Sequence, residues 1–205
     1  MKTITYGIFA EDDAIRIFTQ NLIGQLVSYL GYSEKVRFKH NENFTNQMRT
    51  EKGGGYIFMH FIKFVTRGIN EFSLNLCFIG IDSDDKAHQD CYENMQSRIV
   101  DSKLEDRAIV LIPVQAIEYW LWYLKTKREN PDLNQTSIVD ETNSRLELKK
   151  WVYLDKNART RHSNPIVETL SQNIDIPWLT AHSTSFKHFH DTFKSYLDRN
   201  FSTVE

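Results

Sequence analysis

The chain has 205 residues, of which 40% are hydrophobic and 13% aromatic. That apolar content can offset the ordering entropy of one well-buried domain, so disorder is not the default expectation. Lys+Arg number 25 against 27 Asp+Glu, and the net charge of -2 excludes a uniformly basic nucleic-acid coat while permitting a local basic patch.

The first residues, MKTITYGIFAEDD, reach acids too early for the apolar core of a signal peptide. No apolar run approaches the roughly 20 residues of a membrane span, so no membrane partner is expected. Cys77 and Cys91 are the only cysteines, too few for a disulfide scaffold or a four-cysteine zinc site. They fit a reducing, cytoplasmic setting.

Thr3–Phe9 is short and rich in β-branched and aromatic residues, which predicts a buried strand. Ile15, Phe18, Leu22, Leu26 and Leu30 follow at helical spacing, and Gly31 supplies a stop. Val36–His40 reads as a second strand. After Gly53-Gly54-Gly55 the periodicity predicts a helix over Tyr56–Ile69. Leu74–Ile81 (LNLCFIGI) is nearly all apolar, as suits a strand covered on both faces. A polar helix over His88–Ser102, a strand at Ala108–Ile112 ended by Pro113, and a helix from Ala116 to Lys125 complete the alternation. This order predicts an α/β fold with a Rossmann-like, mainly parallel sheet joined by right-handed crossovers.

Residues 127–144 (KRENPDLNQTSIVDETNS) are polar and turn-rich, a loop or linker. Beyond them Arg145–Tyr153, Pro165–Asn173 and Ser185–Arg199 read as helices, with Pro165 in a first turn. The chain therefore divides into an α/β domain over 1–126 and, over 127–205, a linker and a helical extension packed on it.

Ligands of open parallel sheets gather at the carboxyl ends of the strands. Acids stand at three such ends: Glu11-Asp12-Asp13, Asp82-Ser83-Asp84-Asp85, and Glu118 at the start of a helix. Asp82 and Asp84 are two apart, so an extended backbone directs both carboxylates to one side. Carboxylates in this number suit Mg²⁺ or Mn²⁺, which take hard oxygen ligands together with substrate phosphate and water. The competing readings stay open. Asp12, Asp13 and Asp85 suit helix caps or first turns, and Glu118 suits a solvated helix face.

Glu11 after a first strand, with Asp82-x-Asp84 after a later buried strand, resembles the TOPRIM domain of topoisomerases, primases and overcoming-lysogenization-defect nucleases. The order and surroundings of these acids look closer to small standalone TOPRIM-like proteins of bacterial defence and mobile elements. Further points of similarity are the Gly53–Gly55 turn, Glu118 in the aromatic helix Ile117-Glu118-Tyr119-Trp120-Leu121, Lys149-Lys150, and the closing Ser185-Phe186 helix. The family also shows Glu-Gly and a second acid four residues after the glutamate. Here those positions are Glu11-Asp12 and Ile15, with Asp12 or Asp13 as candidate replacements.

The resemblance implies metal-dependent phosphodiester hydrolysis of DNA or RNA in antiviral defence. Glu11, Asp82 and Asp84 would hold Mg²⁺ or Mn²⁺, and Glu11 or Glu118 would be the general base. It also implies restraint by a partner protein, such as an ATPase or a sensor of infection. The alternatives are a non-catalytic TOPRIM-like binding partner, and a receiver-like module using Asp12-Asp13 and Asp82.

Residues 145–162 set Arg145, Lys149, Lys150, Lys156, Arg159 and Arg161 against Glu147 and Asp155, with Trp151 and Tyr153 between. Basic groups for phosphates and aromatic faces for stacking make Lys149, Lys150, Arg159 and Arg161 a candidate nucleic-acid platform. The alternative is a solvated helix with Trp151 packed inward. Gly53–Gly55 either cradles a phosphate or makes a turn, and it lacks the Gly-Lys-Ser/Thr ending of an ATP-binding loop. His188 and His190 do not share a helical face and read as structural or surface residues. Ser183 and Ser185 lie outside any Gly-x-Ser-x-Gly nucleophile turn, and Trp120, Trp122 and Tyr123 read as helix packing.

Overall fold

The computed structural model describes residues 1–48, 53–84, 87–132, 145–155, 157 and 159–202. The apolar runs read as strands form β1 (Lys2–Ala10), β2 (Val36–His40), β3 (Leu76–Gly80) and β4 (Ala108–Leu111). They make a four-stranded, all-parallel sheet in the order β2-β1-β3-β4. β3 and β4 are buried at every position, the burial that a run without alternation requires. Ile4, Tyr6, Ile8, Phe78 and Ile109 project into one hydrophobic layer, and Phe9, Cys77, Ile79 and Val110 into the other. Each Ile, Val or Phe among them contributes roughly 1.5–3 kcal/mol relative to exposure.

Among the described residues up to 129 the helices are α1 (Asp13–Tyr29), α2 (Glu42–Gln47), α3 (Gly53–Phe72), α4 (His88–Asp101) and α5 (Glu118–Glu129). α1 starts where Asp12 Oδ1 accepts the Ile15 N–H at 2.9 Å. It ends in a reciprocal cap, with Tyr32 N–H donating to Val27 O and Gly31 N–H to Ser28 O, both at 3.0 Å. α3 begins three residues earlier than its periodicity predicts. Its buried stripe of Ile57, Phe61, Val65 and Gly68 packs on the sheet, and that packing outweighs the weak helix propensity of glycine. α2 is too short for its periodicity to show in the sequence.

The later helices are α6 (Arg145–Tyr153), α7 (Thr160–Ser171), α8 (Ile176–His182) and α9 (Thr184–Phe201). Pro165 lies inside α7 rather than in a first turn, because the helix starts at Thr160. Residues 133–144, most of the predicted linker, lie outside the described residues, as does Lys156. The helical extension packs directly on the α/β part. Leu148, Val167, Phe186, Phe189 and Phe193 join the same core cluster as Ile4, Phe18 and Phe78. Phe193 meets Phe78 and Phe38 edge-on, with centroids 5.7 and 5.5 Å apart, so α9 covers the sheet itself. Ser185 fastens its start: the hydroxyl accepts the Trp120 Nε1–H at 2.9 Å and the Val114 N–H at 3.3 Å. Among the described residues no helix is long and apolar enough to cross a membrane.

α9 also reaches α4. His88 Nε2 lies 2.9 Å from His188 Nδ1, and Tyr92 shares a hydrogen bond with Thr192 at 2.7 Å. His188 thus bonds across helices, whereas His190 pairs with its neighbour Asp191 at 2.9 Å. Burial, then the adjacent His188, pushes the His88 pKa down from 6.5 to about 4, against a raising contact from Ile112. Below the ordinary histidine value the unfolded chain takes up a proton that the folded chain refuses until about pH 4. Stability should therefore fall as pH falls across that window. Calorimetric melting should show this slope flattened in His88→Gln, and equal slopes in both proteins would refute the assignment.

Candidate active site

The crossover from β1 leads to β2 on one side, while β3 lies on the other, so the strand order reverses between β1 and β3. Crevices form at such a reversal, outside the carboxyl ends of the strands. Glu11 and Asp82 leave those two strand ends. Glu11 N–H continues the ladder by donating to Gly80 O at 2.9 Å. Its side chain turns across the gap, and Glu11 Oε2 accepts the Asp82 N–H at 3.2 Å. Two acids 71 positions apart in the chain thus meet at the reversal.

Gly54, in the first turn of α3, stands over this pair. A β-carbon there would lie 2.4 Å from Glu11 Oε2, so only glycine lets the helix start approach the carboxylate. The partial positive charge of the α3 N-terminus is brought against Glu11. Gly54 and Gly55 line a crevice of about 30 Å³ together with Asp82, Ser83, Asp84 and Cys91. That space admits a water or a bare ion but no nucleotide.

Asp82 is 4% exposed and Glu118 2% exposed. Burying two carboxylates is costly unless donors meet them. Asp82 Oδ1 accepts the Ile117 N–H at 2.9 Å, and Glu118 is the first residue of α5. A second helix N-terminus therefore faces the acids and favours their negative charge. Ser83 braces the same turn, its Oγ accepting the Gln115 N–H at 2.9 Å.

Asp84 departs from the extended geometry expected of Asp82-x-Asp84. Its N–H donates to Gln115 O at 3.0 Å in an isolated antiparallel bridge, and its backbone turns left-handed with φ 51°. Aspartate tolerates this region better than most residues. Asp84 is consequently exposed at the mouth of the crevice while Asp82 is buried in its wall.

The acids near Glu11 divide differently. Asp12 caps α1, and Asp13 pairs with Arg16 at 3.1 Å, so both take the helix-start roles open to them. Ile15 is fully buried with its Cγ2 against Gly80, where a β-carbon would lie 2.3 Å away. That position is core. Asp85 lies outside the described residues.

Tyr153, at the end of α6, joins the acid cluster. Its hydroxyl is buried, and its pKa is pushed far above the ordinary phenol value. Burial is the largest cause, followed by the charges of Glu118 and Asp12, the nearness of the Glu118 carboxylate to the hydroxyl, and the Asp82 charge. Sequence reasoning placed this tyrosine in a stacking platform. The apolar pair Leu148 and Val152, one turn apart beside it, was the signal that this end of α6 turns inward. Trp151 likewise packs, with its ring 5.2 Å from Trp122. The basic residues remain on the outside: Lys150, Arg159 and Arg161 are exposed and Lys149 is half-buried. The patch therefore presents charge without the interleaved aromatic faces.

Among the described residues, no three His, Cys, Asp or Glu side chains are grouped so as to hold a metal by protein atoms alone. Glu11, Asp82 and Asp84 are instead hard-oxygen donors of the kind that share Mg²⁺ with waters and a substrate phosphate, through one or two carboxylates at a time. The donor set fits that ion and, having no sulfur or imidazole, does not fit a zinc cage. Comparison with protein-family models, curated proteins and solved structures finds no match for this chain.

Proposed function

We propose that the protein is a metal-dependent nuclease that hydrolyses phosphodiester bonds, of the TOPRIM-like type that its acids resemble. The observation that carries the reading is the meeting of Glu11 and Asp82 at the strand-order reversal beneath the start of α3. Glu11, Asp82 and Asp84 would hold Mg²⁺ or Mn²⁺. When bound, such an ion polarises a non-bridging phosphate oxygen and lowers the pKa of an attacking water.

The protein's own groups do the rest. Asp82, fixed by the Ile117 N–H, keeps its position without reorganising. Glu11 is more accessible than Glu118 and is the better general base, its carboxylate taking the proton of a water at the cleft. The N–H groups in the first turn of α3 offer a phosphate the donors that a helix start leaves unused. Lys149, Lys150, Arg159 and Arg161 would neutralise backbone phosphates of DNA or RNA irrespective of sequence. Control by a partner protein, such as an ATPase, in antiviral defence belongs to the same proposal, on the resemblance alone.

One observation favours a second reading. Ile15 is committed to the core and Asp12 and Asp13 to α1, so the family's second glutamate-side acid has no replacement among them. A site holding one ion, or a non-catalytic TOPRIM-like binding partner, follows from that loss. A receiver-like role loses ground for the same reason, with Asp12 serving as a cap and Asp82 buried.

Purified protein incubated with plasmid, single-stranded DNA and total tRNA should cut at least one of them in Mg²⁺ or Mn²⁺, and EDTA should abolish the cutting. Metal binding by calorimetry without cleavage of any substrate would favour the binding partner. Neither binding nor cleavage would sink the nuclease reading.

A further inference from the structure

The last turn of α6 is held from several directions. Lys125 Nζ, from α5, donates to Trp151 O at 2.7 Å and reaches Val152 O at 3.5 Å. His162 Nε2, from α7, lies 2.8 Å from Tyr153 O. Trp151 packs with a tilted ring against Trp122. The next residue, Leu154, adopts φ 59° although it is not glycine, and its side chain is 81% exposed. Its own packing therefore does not explain that conformation, which directly follows the anchored end of α6.

What this mounting delivers is one phenol. Tyr153 is 2% exposed, and its buried Oη meets full hydrogen-bond geometry with no described residue. Glu118, Asp12 and Asp82 nevertheless surround it closely enough to act on it, Glu118 most strongly. A buried hydroxyl without a well-formed bond is costly in a fold, so an apolar ring would suit a purely structural position better. With its proton held by burial and by those carboxylates, the phenol is a neutral donor facing acceptors.

We propose that Tyr153 is a positioning residue of the acid site: its O–H closes onto the Glu118 carboxylate and orients it toward the cleft. α6, the first helix of the extension, thereby completes a site whose other members follow the strands of the sheet. The inference rests on the reading of the cluster as an active site, but the contact itself can be measured without turnover.

The ultraviolet resonance Raman spectrum of wild type minus that of Tyr153→Phe isolates this phenol and reports whether its O–H donates. It should show a strong donor. The same subtraction in a Glu118→Gln background should show a weaker one, because a neutral amide replaces the carboxylate. Identical difference spectra in the two backgrounds would overturn the proposal. In the cleavage assay, Tyr153→Phe should lower kcat about ten-fold with KM unchanged, the scale of an outer-shell positioning loss. An unchanged kcat with native folding by circular dichroism would also overturn it. A wild type that cuts nothing would remove the nuclease reading and leave the spectra to decide the role of Tyr153.

Discussion

Glu11→Gln and Asp82→Asn should each reduce metal-dependent cleavage on the order of 10³-fold or more, while melting temperature changes little. Both replacements keep shape. In Glu11→Gln the new amide retains a carbonyl oxygen to accept the Asp82 N–H, and in Asp82→Asn it retains one to accept the Ile117 N–H at the start of α5. What each loses is the negative charge on a hard oxygen ligand, and with it several kcal/mol of transition-state charge stabilisation through the ion. Asp82→Ala is the poorer test, because it strips the cap as well as the ligand and mixes a folding defect with a chemical one. Initial rates in Mn²⁺ and calorimetric metal binding should fall together in both isosteric variants. Undiminished cutting by either would place the chemistry elsewhere.

Gly54→Ala should separate the site from the fold. The added methyl would start 2.4 Å from Glu11 Oε2 and 3.1 Å from its Cδ, so something must yield. The yielding group is the far end of a glutamate side chain, which can rotate without disturbing the core. The alanine itself favours the helix by up to about 1 kcal/mol over glycine. Melting temperature should therefore hold or rise, while metal affinity and cleavage drop by about ten-fold or more. The contrast is with Gly7→Ala, where the methyl would lie 2.2 Å from the buried Phe44 ring and should lower stability outright. Full activity in a stable Gly54→Ala protein would mean that Glu11 need not stand where the α3 start allows it.

These expectations trace to residues of differing legibility. The strands were readable because burial on both faces leaves unbroken apolar runs, as in Leu76–Gly80, and Gly31 marked the end of α1 because its position needs a left-handed backbone. Glu11, Asp82 and Glu118 were readable as strand-end or helix-start acids, since a parallel sheet puts all such ends on one edge. Helix boundaries drifted where tertiary contacts decide them. α3 gained its glycine turn by packing on the sheet, and α7 carries Pro165 inside rather than at its start.

By itself, then, the sequence determined the α/β class, the order of the strands along the chain, and the edge on which the acids lie, because periodicity and turn chemistry are local. Only the tertiary structure decided which acids gather at the strand-order reversal. Asp12 and Asp13 went to α1, Asp84 turned out to the mouth, and Asp82 was buried against the start of α5. It also brought Gly54 onto Glu11 and Tyr153 into the acids, and laid α9 over the sheet. Those outcomes depend on which surfaces meet across long stretches of chain, and contacts between distant residues leave no period in a sequence.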